Sequence, residues 1–585
     1  MFRASLALLA IGCVALAISL PESWYAALPR RNDLPPPNFS GLAVLRFALG
    51  AWAVLLAFLA VRPPRFQRRT GSELIPFPES TAACDLAPAG AMIALFVITA
   101  LGFVLRVINI TSDLWLDEIN PVVTYGPLPL YQVFTTYLLA GNHQLHTFLV
   151  KVLVMVLGEK EWVIRTPAVL FGVACIPAVY WFARFALSRV QSLCLALLIA
   201  VSYHMIEYSQ NARGYSMHIF FSIMTSGLLV DALKRDRAAS WIWFTILSIM
   251  SFATQMIGAF VSAGQLIVAL IEVIAHWRRG GSVRALLVNR LPLAYTAIGG
   301  FAVLMYSVVL PEFLNYQKYF YQQDETSGFR PFTLEFLREM MRGIGEGFGP
   351  GFMLGAIPLL LVGAVGFYFL CRRNRAVALM LTAPCFLMLA YMIGRGIPIA
   401  PRYFLIAIPV IFMTAVYAAF ALAGWAGERL RWPQKRPQTA ALALVLLAML
   451  ASVASLPRLY RHPKQDYTGA IRYLQSIRKN GEPILVIHYA ERGVEYYGGK
   501  LGLTGNDLVI VRSDDTFRQQ EALAREHGAY AVTTLMRALR LENPAITDSL
   551  NANWTRVKDF PGTIGNGNII LWQLGIKDNS GGRNN

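Results

Sequence analysis

Between residues 4 and 456 the chain returns repeatedly to runs of about 20 mostly apolar residues, the length at which a helix crosses the hydrocarbon core of a bilayer. The runs fall near 4–20, 41–61, 88–108, 166–187, 190–206, 214–233, 240–256, 258–275, 292–310, 350–370, 376–393, 403–424 and 438–456. About thirteen such runs predict a polytopic all-α membrane protein, because in lipid every backbone polar group must be satisfied within the segment. Arg3 before the first run also suits a signal peptide, but Leu20-Pro21-Glu22 is a poor cleavage site, and the run reads as an anchor. The 585 residues are 56% hydrophobic and 15% charged, which excludes a string of soluble domains, a disordered chain and a coiled coil. The six cysteines form no CxxC pair and lie mostly within or beside apolar runs, as small core hydrophobes rather than a disulfide or zinc framework.

A net charge of +18 would suggest nucleic acid in a soluble protein. Here the basic residues sit in short loops after even-numbered runs. Arg62, Arg65, Arg68 and Arg69 follow the second, and Lys234, Arg235 and Arg237 the sixth. Arg278, Arg279 and Arg284 follow the eighth, Arg372, Arg373 and Arg375 the tenth, and Arg429, Arg431, Lys435 and Arg436 the twelfth. One face collects them all and is expected to be cytoplasmic, with the N-terminus inside. The opposite face receives 21–40, 109–165, 207–213, 311–349, 394–402 and everything after 457, so a catalytic site is expected outside.

From about 458 the pattern changes. Asp466 to Leu474 reads as a helix, Ile484 to His488 and Asp507 to Val511 as strands, Phe517 to His527 as a helix, Ala529 to Val532 as a strand and Asn568 to Trp572 as a closing strand. This alternation predicts a small α/β domain, without a GxGxxG or P-loop fingerprint for nucleotides. Expected domains are 1–87 (two spans and a basic loop), 88–457 (the catalytic membrane domain) and 458–585 (the extracytoplasmic domain).

Four external clusters carry chemistry. Ser112-Asp113-Leu114-Trp115-Leu116-Asp117-Glu118 puts adjacent carboxylates beside Trp and Leu at a membrane exit, where partial desolvation favours general-base work. Neighbours on a helix point about 100° apart, so one carboxylate would face reactants while the other orients a loop or binds a cation. The plainer reading is an interfacial helix cap anchored by Trp115. In Gly141-Asn142-His143-Gln144-Leu145-His146 the histidines share a helical face, for hydrogen bonding or for a metal with Asp117 or Glu118. Glu207 to Tyr215 fills an external turn in which Arg213 can hold a phosphate and Glu207 can hold Arg213, or the two simply close the turn. Pro401-Arg402-Tyr403 opens the twelfth run, where a cation and free helical amides suit a phosphate. The loop 311–349 adds Tyr316, Lys318, Tyr319, Tyr321 and Arg330, suited to a lid over sugar and phosphate or to an interfacial belt.

These residues resemble the membrane glycosyltransferases of the C superfamily, which includes protein O-mannosyltransferases and bacterial aminoarabinose transferases. The resemblance runs in order over about 88–480: Leu114 to Glu118, Asn142-His143-Gln144-Leu145, Gly158 to Pro167 with Arg165, Tyr208 to Tyr215, Pro401 to Tyr403 and Asp466 to Ala470. His143 lacks the proline that often follows, Asn211 stands where relatives often carry Glu, and two spans precede the family core. The resemblance implies inverting transfer from a polyprenyl-phosphate sugar to an external hydroxyl of a glycan, lipid or protein acceptor. Asp117 would be the base and Glu118 its neighbour, with His143, Glu207, Arg213, Tyr215, Arg402 and Tyr403 on donor phosphate or sugar and Lys318 and Arg330 in a lid. Some members use a divalent cation and others do not. It implies a bacterial inner membrane. The alternatives are a flippase of lipid-linked sugars, which predicts charges inside spans and broken helices, and a scaffold working through its tail.

Overall fold

The computed structural model describes residues 2–31, 33–62, 86–283, 286–319, 333–345, 352–396, 399–433, 435–479, 481–565 and 567–575. They form a multi-pass helical membrane protein with a small C-terminal sheet domain. Among the described residues eight helices are long and apolar enough to cross a membrane, or ten if each of two bent pairs is one span. The difference from about thirteen has local causes. Arg3–Ser19 and Ala238–Thr254 are apolar but short. Phe352–Arg395 covers 44 residues as two helices joined across a kink. It breaks at Asn374 (φ −149°, ψ 86°), whose Oδ1 accepts from the Val377 amide at 3.2 Å and restarts the helix as a cap. The expected spans 350–370 and 376–393 are its two legs.

The chain divides into two compact units, the first comprising 1–107, 128–152 and 165–455 and the second 108–127, 153–164 and 456–585. In the first, Tyr215–Arg235 has 83% of its most apolar window buried while Gly41–Val61 and Pro88–Val107 have 17%. The Tyr215 helix is therefore the central post, and the other two turn Phe47, Val54, Phe58 and Phe96 outward, as lipid-facing helices do. Ile219, Ile223, Leu229 and Leu233 of that post pack with Phe182, Leu195, Phe244 and Val268 in one continuous core.

The second unit holds a five-stranded sheet: β1 (Ile484–Ile487), β2 (Leu508–Val511), β3 (Ala529–Thr533), β4 (Thr555–Phe560) and β5 (Ile569–Leu574). Their order is β2-β1-β3-β5-β4, with β1 parallel to β2 and β3, and β5 antiparallel to β3 and β4. Strand β4 escaped the sequence reading because it is an edge strand, Thr-Arg-Val-Lys-Asp-Phe, with a bulge between Arg556 and Lys558 and mostly exposed side chains. Leu485, Ile487, Ala531, Ile570 and Trp572 form the core with Phe517, Leu539, Ile546 and Leu550 of the covering helices.

Candidate active site

The polar centre of the spanning unit is built around a broken helix. Arg189–Val201 and Tyr203–Ser209 meet at 56°. Ser202 sits between them, and its Oγ accepts from Met205 N to start the second piece. The carbonyls left at the end of the first piece are taken by Arg106, fully buried in the Pro88–Val107 helix. Its guanidinium donates to Ile199 O (3.1 Å), Ala200 O (3.0 Å), Gly102 O (2.9 Å) and Ser209 Oγ (3.1 Å). Gln210 returns a bond from its side-chain amide to Arg106 O (3.1 Å). A cation at a helix C-terminus answers both the unsatisfied carbonyls and the dipole. Gly172 permits the approach, since a Cβ there would lie 2.0 Å from Ser209 Oγ.

That fixed corner carries the turn 210–214. Arg213 is buried and donates to Gly141 O at 2.8 Å. His143 Nδ1 accepts from the Gly214 amide, and its Nε2 faces the Gln255 side-chain amide. The ring meets Tyr215 edge-on at 4.9 Å, and Tyr215 meets Tyr208 at 5.1 Å. His143 is held well below the usual histidine range, first by burial and then by Arg213, His146, His218 and Arg402. It is a neutral imidazole in a positive surrounding. Among the described residues no three His, Cys, Asp or Glu side chains are grouped to hold a metal.

The remaining expected residues of this unit lie on three elements. Glu207 lies 4.0 Å from His204 Nδ1. Arg402 and Tyr403 occupy a 3-10 turn, Pro401–Phe404, and the following helix begins at Ala407. Arg402 is therefore not at the first turn of that helix, as the sequence had suggested; it stacks on the Tyr403 ring at 5.6 Å. Lys318 is exposed on the helix Leu310–Tyr319, over the ring of Tyr319 at 5.2 Å. Tyr137 packs edge-on against Tyr316 at 5.8 Å. Arg330 and Tyr321 lie outside the described residues.

The carboxylates belong to the second unit. Leu116–Tyr125 is a helix with Asp117 and Glu118 in its first turn, where acidic groups are favoured by the dipole. Asp117 is half-buried. Glu118 is fully buried, and its Oε2 accepts from the Trp115 amide at 3.2 Å. Asp113 serves the tail: its carboxylate accepts from Thr468 N (2.6 Å) and Thr468 Oγ1 (2.8 Å). Burial pushes the Asp113 carboxyl above its usual range, against the Thr468 bonds, with Asp466 and Glu161 adding to the rise.

The sequence reading missed Arg106, Gln255 and, in the second unit, Lys464 and Gln465. Arg106 carried a signal, since a lone arginine inside an apolar run is a functional candidate by default. The other three carried none, being ordinary polar residues at the end of one helix and the start of another.

Residues 144–310 match the model of the family described as dolichyl-phosphate-mannose-protein mannosyltransferase. That segment contains the Gly158–Pro167 and Tyr208–Tyr215 motifs but neither Asp117 nor Arg402. No curated protein matches the chain. Among solved structures it is similar to ArnT from Cupriavidus metallidurans bound to undecaprenyl phosphate, at 13% identity and TM-score 0.48, covering 83% of this chain and 98% of that one. It is also similar to the Archaeoglobus fulgidus oligosaccharyltransferase (12% identity, TM-score 0.44, 79% and 72% covered). A third is the arabinosyltransferase EmbB from Mycobacterium smegmatis (13% identity, TM-score 0.41, 74% and 46% covered).

Proposed function

We propose that this chain, similar to the membrane glycosyltransferases of the C superfamily, transfers a sugar from a polyprenyl-phosphate carrier to an acceptor hydroxyl on the external face, with inversion. The observation that carries the reading is buried Arg213 beside His143, in a chain whose segment 144–310 matches a dolichyl-phosphate-mannose-protein mannosyltransferase family. Asp117 takes the proton of the acceptor hydroxyl, whose oxygen forms a bond to the anomeric carbon. The bond from that carbon to the phosphate oxygen breaks, and the electron pair leaves on the polyprenyl phosphate. Arg213 and Arg402 stabilise the charge that develops there. Neutral His143 contributes hydrogen bonding rather than charge. The basic loops support a site on the external face of an inner membrane. Glycan, lipid and protein all offer a suitable hydroxyl.

A second reading, flipping of lipid-linked sugars, draws on the two bent helix pairs, at 56° and 76°. The test is transfer in proteoliposomes with a panel of radiolabelled polyprenyl-phosphate sugars, each with and without a chelator. Wild type is compared with Asp117→Asn, which keeps shape and removes the base. Transfer by wild type and a loss of at least a hundredfold in the variant, with unchanged melting, is expected, in line with general-base contributions of about 10²–10⁴. Undiminished transfer by Asp117→Asn would overturn the base assignment. Label crossing the bilayer in both proteins without transfer would favour the flippase.

A further inference from the structure

Asp117 is presented by a helix whose first turn is completed from the far end of the chain. Three successive amides lead into it. Leu114 N donates to Tyr497 Oη (2.7 Å), Trp115 N to Glu118 Oε2 (3.2 Å) and Leu116 N to Gln465 Oε1 (2.8 Å). These are groups that a helix N-terminus leaves without partners of its own. Gln465 is fully buried, accepts also from Tyr467 Oη (3.2 Å), and donates to Thr534 Oγ1 (2.9 Å) at the end of β3. Its neighbour Lys464, 5% exposed, places Nζ 4.0 Å from Oε1 of Glu118, which is 1% exposed. A strap between β4 and β5 holds this dipeptide: Thr563 N donates to Pro463 O at 3.0 Å, and a Cβ on Gly562 would stand 2.4 Å from the Lys464 carbonyl.

A carboxylate buried as deeply as Glu118 stays ionised only beside a cation or strong donors. As an acceptor it fixes the Trp115 amide and so the direction in which the next turn sets out. We propose that Lys464 and Gln465 are positioning residues for the transfer reaction: Lys464 neutralises Glu118, Gln465 ties the Leu116 amide to the sheet, and together they fix the turn that bears Asp117. Of the adjacent carboxylates, Glu118 is then the orienting one and Asp117 the reacting one. The tail is a working part of the active centre rather than a separate module. This inference rests on the assignment of Asp117 as base.

The experiment uses the full-length protein in two readouts. Hydrogen exchange of a peptide spanning 112–120 reports the three amides without any substrate. Transfer of the polyprenyl-phosphate sugar that wild type accepts gives kcat and KM. Lys464→Met is expected to raise exchange in that peptide at least tenfold. It should lower kcat at least tenfold while donor KM stays within about twofold, the signature of misplaced chemistry rather than lost binding. Lys464→Arg restores most of both. The decisive variant is Lys464→Met combined with Glu118→Gln, because a neutral amide oxygen still accepts from Trp115 N and needs no cation. Recovery relative to Lys464→Met supports the proposal, and a double variant no better than Lys464→Met overturns it. Wild-type exchange in Lys464→Met overturns it equally. If Lys464→Met does not fold, Glu118→Gln is compared with the double variant, and a further tenfold loss on removing Lys464 refutes action through Glu118. Failure of the base assignment is seen separately, as transfer surviving Asp117→Asn.

Discussion

His143 is neutral because the protein surrounds it with apolar atoms and arginines, and that has a thermodynamic consequence. Below the ordinary histidine value, about 6.5, the unfolded chain binds a proton that the folded one refuses. Acid therefore favours unfolding, and stability gained as pH rises is complete once that value is passed. The melting midpoint of detergent-solubilised protein is expected to climb from pH 5 to about 6.5 and then flatten, with a shallower climb in His143→Gln. Asp113 runs the other way: a carboxyl raised by burial holds its proton more readily when folded, so its contribution is largest in acid and declines as pH rises through the raised value. Asp113→Ala leaves the Thr468 amide unanswered and is expected to cost about 1–3 kcal/mol, with Asp113→Asn, which keeps an acceptor, costing less. Limited proteolysis of the tail against urea measures both. Which residue types cluster was readable in the sequence for His143 and Arg213, because Asn-His-Gln and Gln-Asn-Ala-Arg are costly at a membrane edge unless used. That Asp113 serves Thr468 was not, since nothing local pairs positions 355 residues apart.

At the scale of the helix, the break at Ser202 is held by an arginine from another helix. Arg106→Met removes the donors to Ile199, Ala200 and Ser209 and leaves helix-end carbonyls buried, an expected loss of about 3 kcal/mol from bonds involving a charged group. Ser209→Ala deletes one acceptor and is expected to cost about 1 kcal/mol. Thermal melting of purified protein ranks them, and equal midpoints would sink the cap argument. The hydropathy pattern revealed most spans because lipid demands unbroken apolar length. It could not reveal that 190–206 bends, since that depends on a single residue, Ser202, acting as a cap. Strand β4 was hidden for the opposite reason, an edge position that tolerates charge.

For the whole molecule the basic loops make a sharp statement about sidedness. Three of those loop ends are also ion-paired, Arg235 with Asp231 (2.8 Å), Arg290 with Asp236 (3.0 Å) and Arg375 with Glu272 (2.8 Å), so their positive excess is smaller than the sequence count. With native cysteines replaced, a cysteine at Arg279 is expected to react with an impermeant maleimide only after cells are opened. One at Glu526, 75% exposed, should react in intact cells. The reverse result would invert the orientation and move the chemistry to the cytoplasm. Sidedness was open to argument from the sequence because it is a sum over loops. The composition of the second unit was not, because 108–127 and 153–164 join residues 456–585 through contacts between polar groups far apart in the chain.

That discontinuity puts the turn that bears Asp117 on a clock. The Leu116 amide meets Gln465 across 349 residues, so the ribosome, at about 5–20 residues per second, needs roughly 20–70 s between making one partner and the other. During that interval the Leu116 amide lacks its Gln465 partner, and a chain interrupted before residue 465 never acquires it. On the proposed base assignment, the setting of Asp117 is complete only once residue 465 has been made.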